Sequence, residues 1–145
     1  MRIFKSTLIA AGIGLALGAA ACSGDPGSAS ATTPTATSAT RPSSTATLTI
    51  VTPKVGAVVK GSTVDVKVDL KGATIVTATS TDLQPDEGHL HVILDDQLVT
   101  MTATTETVIP DVPPGHHILK VEFVANDHGP FFPNVVAVTS FEVPA

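Results

Sequence analysis

The chain has 145 residues, 43% hydrophobic and 14% charged, and its 13 acidic residues outnumber 8 basic ones to leave a net charge of -5. That balance repels a phosphate backbone and argues against nucleic-acid binding, while the absence of Trp and Tyr removes the flat rings on which carbohydrate-binding surfaces stack sugars. A single Cys cannot close an intramolecular disulfide, so stability has to come from packing, and the many Ala, Thr and Val residues favour strands over long helices.

Arg2 and Lys5 open the chain, and residues 8–21 follow as fourteen uncharged, mostly apolar residues. A membrane span needs about twenty such residues, so residues 1–21 read instead as an export signal. Ala19-Ala20-Ala21-Cys22 resembles a bacterial lipobox, with Ala19 where Leu is usual. That resemblance implies a diacylglycerol on the Cys22 thiol, cleavage that leaves Cys22 first, and lipid anchoring at the extracytoplasmic face of the cell membrane. The alternative is an ordinary secretory signal that leaves Cys22 as a free thiol. Residues 22–46 comprise this Cys and a tether of Ser, Thr, Ala and Pro, which has almost no charge or bulky apolar side chain to offset the entropy of ordering it. Random-coil scaling gives such a tether a reach of about 25–30 Å.

At residue 47 the pattern changes to alternation, and residues 47–145 form the candidate domain. Val64, Val66, Val68 and Leu70 alternate with Asp65, Lys67 and Asp69, the period of a strand with one buried and one wet face. Leu119, Val121 and Phe123 alternate with Lys120 and Glu122 in the same way, after the turn Pro113-Pro114-Gly115. Residues 47–51, 89–94, 97–102, 105–109 and 134–143 supply further strands between Gly, Pro and Asp turn signals. Seven short strands without helical periodicity predict an all-β, antiparallel β-sandwich.

Pro53-Lys54-Val55-Gly56 followed by Val59, Gly61, Val64, Val66 and Val68 resembles the opening strands of bacterial immunoglobulin-like domains. Residues 114–121, Pro-Gly-His-His-Ile-Leu-Lys-Val, resemble their strand F. More narrowly, Gly88-His89-Leu90-His91, Pro114-Gly115 with His117, and Asp127-His128-Gly129-Pro130 with Pro133 are similar to domain-of-unknown-function family 4399, which favours a third His where Leu90 stands here. The resemblance implies a secreted immunoglobulin-like sandwich and no particular activity.

Five His fall within forty residues. In residues 89–94 the even positions are aliphatic and expected inside, which places His89 and His91 together on the outer face. In an immunoglobulin-like sandwich their strand runs antiparallel to strand F, so they lie near Glu122, Asp127 and His128, with His116 and His117 at the opposite end. An H-x-H pair joined by His128 or Asp127 suits Zn²⁺ or Cu²⁺. Met101, the only Met after the signal, argues against a Cu(I) site. Without metal, His89 and His91 are ordinary solvated strand residues. His117 has inward parity and is expected to bond a backbone carbonyl, as the tyrosine of a tyrosine corner does. Phe131 and Phe132, between Pro130 and Pro133, form either an exposed interaction loop or a cap on the core.

Nothing in the chain supports catalysis: no G-x-S-x-G elbow and no phosphate-cradling glycine loop occurs, and the lone Cys belongs to the signal. Asp86-Glu87 and Asp95-Asp96 sit at turns, where solvated acids are ordinary. The expectation is a membrane-anchored envelope lipoprotein with a non-catalytic binding or interaction domain and no required cofactor, its partner either an envelope protein or a Zn or Cu ion.

Overall fold

The structure, a computed structural model, describes residues 40–145; residues 1–21, read as an export signal, Cys22 and most of the stretch read as a tether lie outside the described residues. Among the described residues nine strands follow in chain order: β1 (Thr47–Thr52), β2 (Ala57–Val58), β3 (Val64–Lys71), β4 (Thr74–Ile75), β5 (Glu87–Leu94), β6 (Gln97–Thr102), β7 (Glu106–Ile109), β8 (Gly115–Ala125) and β9 (Pro130–Val143). Seven correspond to the alternating runs of the sequence. The two additions, β2 and β4, are two residues long and pair in parallel with β9 and β5 at sheet edges.

One sheet has the order β1-β3-β7, and the other β2-β9-β8-β5 with β4 and β6 sharing the far edge of β5. The sheets bury the faces that alternation predicts. Val64, Val66 and Val68 come from β3, Leu90 and Val92 from β5, and Leu119, Val121 and Phe123 from β8, all buried in one apolar core. Burying such side chains contributes about 1.5–3 kcal/mol each, which makes core parity the strongest constraint on register.

Two local features adjust this frame. The β5–β6 hairpin turns on Asp95 and Asp96 with φ of 48° and 65°, the left-handed pair that a tight two-residue hairpin requires. In the β8–β9 pairing, Phe123 faces Val135 but Val124 faces Pro130, so residues 131–134 loop out of the ladder. Phe131 turns inward from this loop and stacks on Phe123 at a centroid distance of 5.2 Å, whereas Phe132 is 74% exposed. The pair expected to act together is therefore split into a core cap and a surface residue.

Residues 40–46, read from composition as the end of the tether, are bound to the domain. Arg41 donates to both carboxylate oxygens of Asp127 at 2.5 and 2.9 Å and to the Pro130 carbonyl at 2.7 Å. Ser44 Oγ and the Thr45 backbone N–H donate to Asp86 at 2.6 and 2.7 Å. These two fastenings hold the segment against the loops before β5 and after β8.

At Gly88 the backbone of β5 packs tightly against β8. A Cβ there would lie 1.8 Å from the Val124 carbonyl oxygen, so the strands meet only because the residue lacks a side chain. Gly88→Ala is expected to destabilise the fold by about 3 kcal/mol, read as a lower urea midpoint; wild-type stability would show that β5 and β8 are not apposed at this point.

Candidate metal centre

The antiparallel β5–β8 register places His89 opposite Val124 and His91 opposite Glu122. Leu90 and Val92 point into the core, so both imidazoles lie on the outer face, as their parity predicts. β8 then runs into the turn that carries His128. There the His128 N–H donates to the Ala125 carbonyl at 2.9 Å, the Ala125 N–H donates to the Gly129 carbonyl at 2.9 Å, and the Gly129 N–H donates to Asp127 Oδ1 at 3.0 Å. The turn holds His128 at a φ of 65°, a left-handed conformation that non-glycine residues seldom adopt.

This conformation brings His128 back over the start of β5. His128 Nδ1 lies 2.9 Å from His89 Nε2 and 3.4 Å from His91 Nε2. One nitrogen from each of the three rings falls within 4.8 Å of the others. Around a tetrahedral ion with bonds of about 2.0–2.1 Å, ligand nitrogens stand about 3.3 Å apart. Small ring rotations are therefore enough to aim all three at one point.

The environment favours the ligating form of imidazole. Burial, then the neighbouring His128 and His91, push the His89 pKa below its ordinary value. For His91, burial and His128 lower it against the opposing pull of the Glu122 carboxylate. Both rings thus keep a lone pair free near neutral pH, as metal binding requires. His89 is only 7% exposed although it stands on the outer face. Beside it is an open cleft of about 290 Å³ lined by Val76, Thr77, Thr79, Met101 and His128, which gives an ion a route to the rings.

Asp127, expected as a possible ligand, is not among the converging groups. Arg41 occupies both of its oxygens and holds its pKa down at about 2. Its contribution is to fix the turn that presents His128. Glu122 accepts from Asn134 Nδ2 at 3.0 Å and faces His91 as a nearby charge.

At the other end of β8, His116 is exposed and His117 buried. His117 Nε2 donates to the Pro113 carbonyl at 2.8 Å, the kind of bond its position predicts, and Nδ1 lies 2.7 Å from Asp95 Oδ2. With an acceptor at each nitrogen, the ring is satisfied as an imidazolium, and Asp95 foremost raises its pKa. Asp95 is no idle turn acid. Burial works against its charge, but the Ile118 N–H at 2.8 Å and the His117 ring outweigh that and lower its pKa.

Three participants escape a reading by sequence. Arg41 sits in a stretch of tether composition, and Asp95 finds its partners more than twenty residues away. Met101 is brought beside the histidines by an irregularity in β6. His-x-His spacing, strand parity and the antiparallel neighbour point to the three histidines and to none of these supporting residues.

No protein-family model and no curated protein matches the chain. Among solved structures, the fibronectin(III)-like modules of CbhA from Clostridium thermocellum are 20% identical, with a TM-score of 0.50 over 67% of this chain and 94% of that one. The PKD domain of human KIAA0319 is 10% identical, with a TM-score of 0.43 over 74% of this chain and 88% of that one. With its two packed sheets, the described part of the chain is an all-β sandwich of the immunoglobulin-like, fibronectin type III kind. The likeness is one of fold, and the resemblance to family 4399 rests on residues 88–91, 114–117 and 127–133 alone.

The His117–Asp95 pair makes a signed prediction. Because the folded pKa of His117 is raised, its contribution to stability is full below the unfolded value of about 6.5 and is lost as pH rises through the folded value. The stability difference between wild type and Asp95→Asn should therefore be larger at pH 5.5 than at pH 8.5 by urea unfolding. A difference that does not shrink would show that the pair is not an imidazolium–carboxylate bond.

Proposed function

We propose that the chain is a membrane-anchored, extracytoplasmic module that binds one first-row transition ion through His89, His91 and His128 and performs no catalysis. The convergence of three imidazole nitrogens from β5 and the β8–β9 turn carries this reading. Imidazole is a ligand for both Zn²⁺ and Cu²⁺, and three protein ligands leave a position open toward the cleft. Supporting the same reading are the depressed pKa values of His89 and His91 and the left-handed φ of His128, a conformation retained only where surrounding bonds over-determine it.

The anchoring half of the proposal rests on the Arg2–Lys5 basic region, the apolar run and the Ala19-Ala20-Ala21-Cys22 motif. Lipid on Cys22 would keep the binding domain at the envelope, with the membrane as its first partner. Thioether attachment also accounts for a lone Cys in an exported chain.

Titrating the purified protein with Zn²⁺ or Cu²⁺ while following thermal unfolding tests the ion site. At a hundred times the dissociation constant, native-state binding adds about 2.7 kcal/mol. His91→Ala should lose most of that gain, and His116→Ala, at the far end of β8, should keep it. Below about pH 6 the gain should fall as the imidazoles protonate. Equal weak binding by wild type and His91→Ala would reject the site.

Membrane fractionation tests the anchor independently: Cys22→Ala should shift the protein to the soluble or uncleaved fraction. A processed Cys22→Ala protein still held at the membrane would reject lipid attachment.

A further inference from the structure

The β5–β6 hairpin leaves its turn in simple register, with Leu94 opposite Gln97 and Ile93 opposite Leu98. Between Ile93 and Val92 the register slips, so that Val92 faces Thr100 and His91 faces Met101. Val99 is the extra residue of this bulge. Had the initial register continued, His91 would face Thr100, and Met101 would stand opposite Leu90 with the parity of the core. The bulge reverses this and turns a half-exposed thioether toward the face that carries the histidines. Met101 accordingly lines the same cleft as His89 and His128.

We propose that Met101 is the fourth ligand of the three-histidine site and that the ion it selects is monovalent copper, Cu(I). This rests on the three-histidine reading and adds the ligand that decides between metals. Thioether sulfur is a soft donor that favours Cu(I), and imidazole binds copper as readily as zinc. Charge points the same way. Three neutral imidazoles and a thioether bring no negative charge to the ion; of the two nearby carboxylates Asp127 is paired with Arg41, and Glu122, which accepts from Asn134, is not among the converging groups and acts on His91 only as a neighbouring charge. Such a set leaves one uncompensated charge around Cu(I) but two around Zn²⁺, in a place where His89 is nearly buried. One Met is enough here because strand pairing, rather than a repeated Met motif, delivers it.

The test is competition for Cu(I) against a chromophoric chelator under reducing conditions, run on the whole protein as wild type, Met101→Leu and His91→Ala. Leu conserves the volume of a half-exposed side chain, and thermal unfolding of the ion-free variants checks that the fold is retained. The expected result is at least a tenfold loss of Cu(I) affinity in Met101→Leu, with Zn²⁺ affinity within about twofold of wild type. X-ray absorption of the copper-loaded protein should show a sulfur neighbour in wild type that disappears in Met101→Leu. Unchanged Cu(I) affinity in Met101→Leu, or copper with only nitrogen neighbours, overturns the fourth ligand while a loss in His91→Ala leaves the three-histidine site standing. If His91→Ala binds Cu(I) and Zn²⁺ as wild type does, the three-histidine site fails and the thioether proposal with it.

Discussion

The pairing of β5 with β8 governs the molecule, because one register decides both what is buried and what is presented. From Gly88 opposite Ala125 to Leu94 opposite Leu119, alternate residues send Leu90, Val92, Leu119, Val121 and Phe123 inward and His89 and His91 outward. A slip by one residue would exchange these sets, exposing aliphatic side chains and burying imidazoles without partners. The hydrophobic cost of such a slip is several side chains at about 1.5–3 kcal/mol each, so the core holds the histidines in place without spending any contact on them. Gly88 permits the close approach that starts this ladder, one residue before His89.

Much of this is legible from residue order. The alternation at 64–70 and 119–123 reveals the two central strands, and the inward parity of Leu90 and Val92 already sets the two histidines on the other face. That His128 joins them follows from antiparallel neighbours, since the end of β8 must lie beside the start of β5. What residue order conceals is whatever depends on a departure from regularity. The bulge at Val99 moves Met101 from core parity to the site, and composition cannot reveal it because Thr100 and Met101 are both acceptable strand residues. Arg41 lies in a run of Ser, Thr and Ala that has no core of its own, and its order comes from partners supplied by distant loops, chiefly the acids Asp127 and Asp86. The pairing of Asp95 with His117 is long-range in the same sense, with twenty-two residues between partners.

The two ends of β8 use histidine in opposite ways. At His117 both ring nitrogens face acceptors, so the charged ring is the one that fits. Around His89 and His91, burial and neighbouring imidazoles disfavour the charge. A fold with few polar groups inside thus contains one histidine that acts as a cationic bolt and two kept as neutral donors. At His117 the β5–β6 turn supplies a carboxylate; at His89 and His91 burial dominates, and the β8–β9 turn adds a third imidazole.

The segment at residues 41–45 touches the fold at two acids, and each stands close in sequence to one of the three clustered histidines: Asp127 directly precedes His128, and Asp86 is three residues ahead of His89. Tension arriving along the chain from its N-terminal side would therefore reach the loops beside these histidines before it reached β1. Arg41 is the first of the two fastenings to feel it, and losing that grip would leave the turn that holds His128 in its left-handed conformation with its internal hydrogen bonds alone. The sandwich itself, sealed by its core, would remain closed. In mechanical terms the domain is pulled by its most specialised corner, so the geometry of the three rings is the part of the molecule that stretching the chain would disturb first.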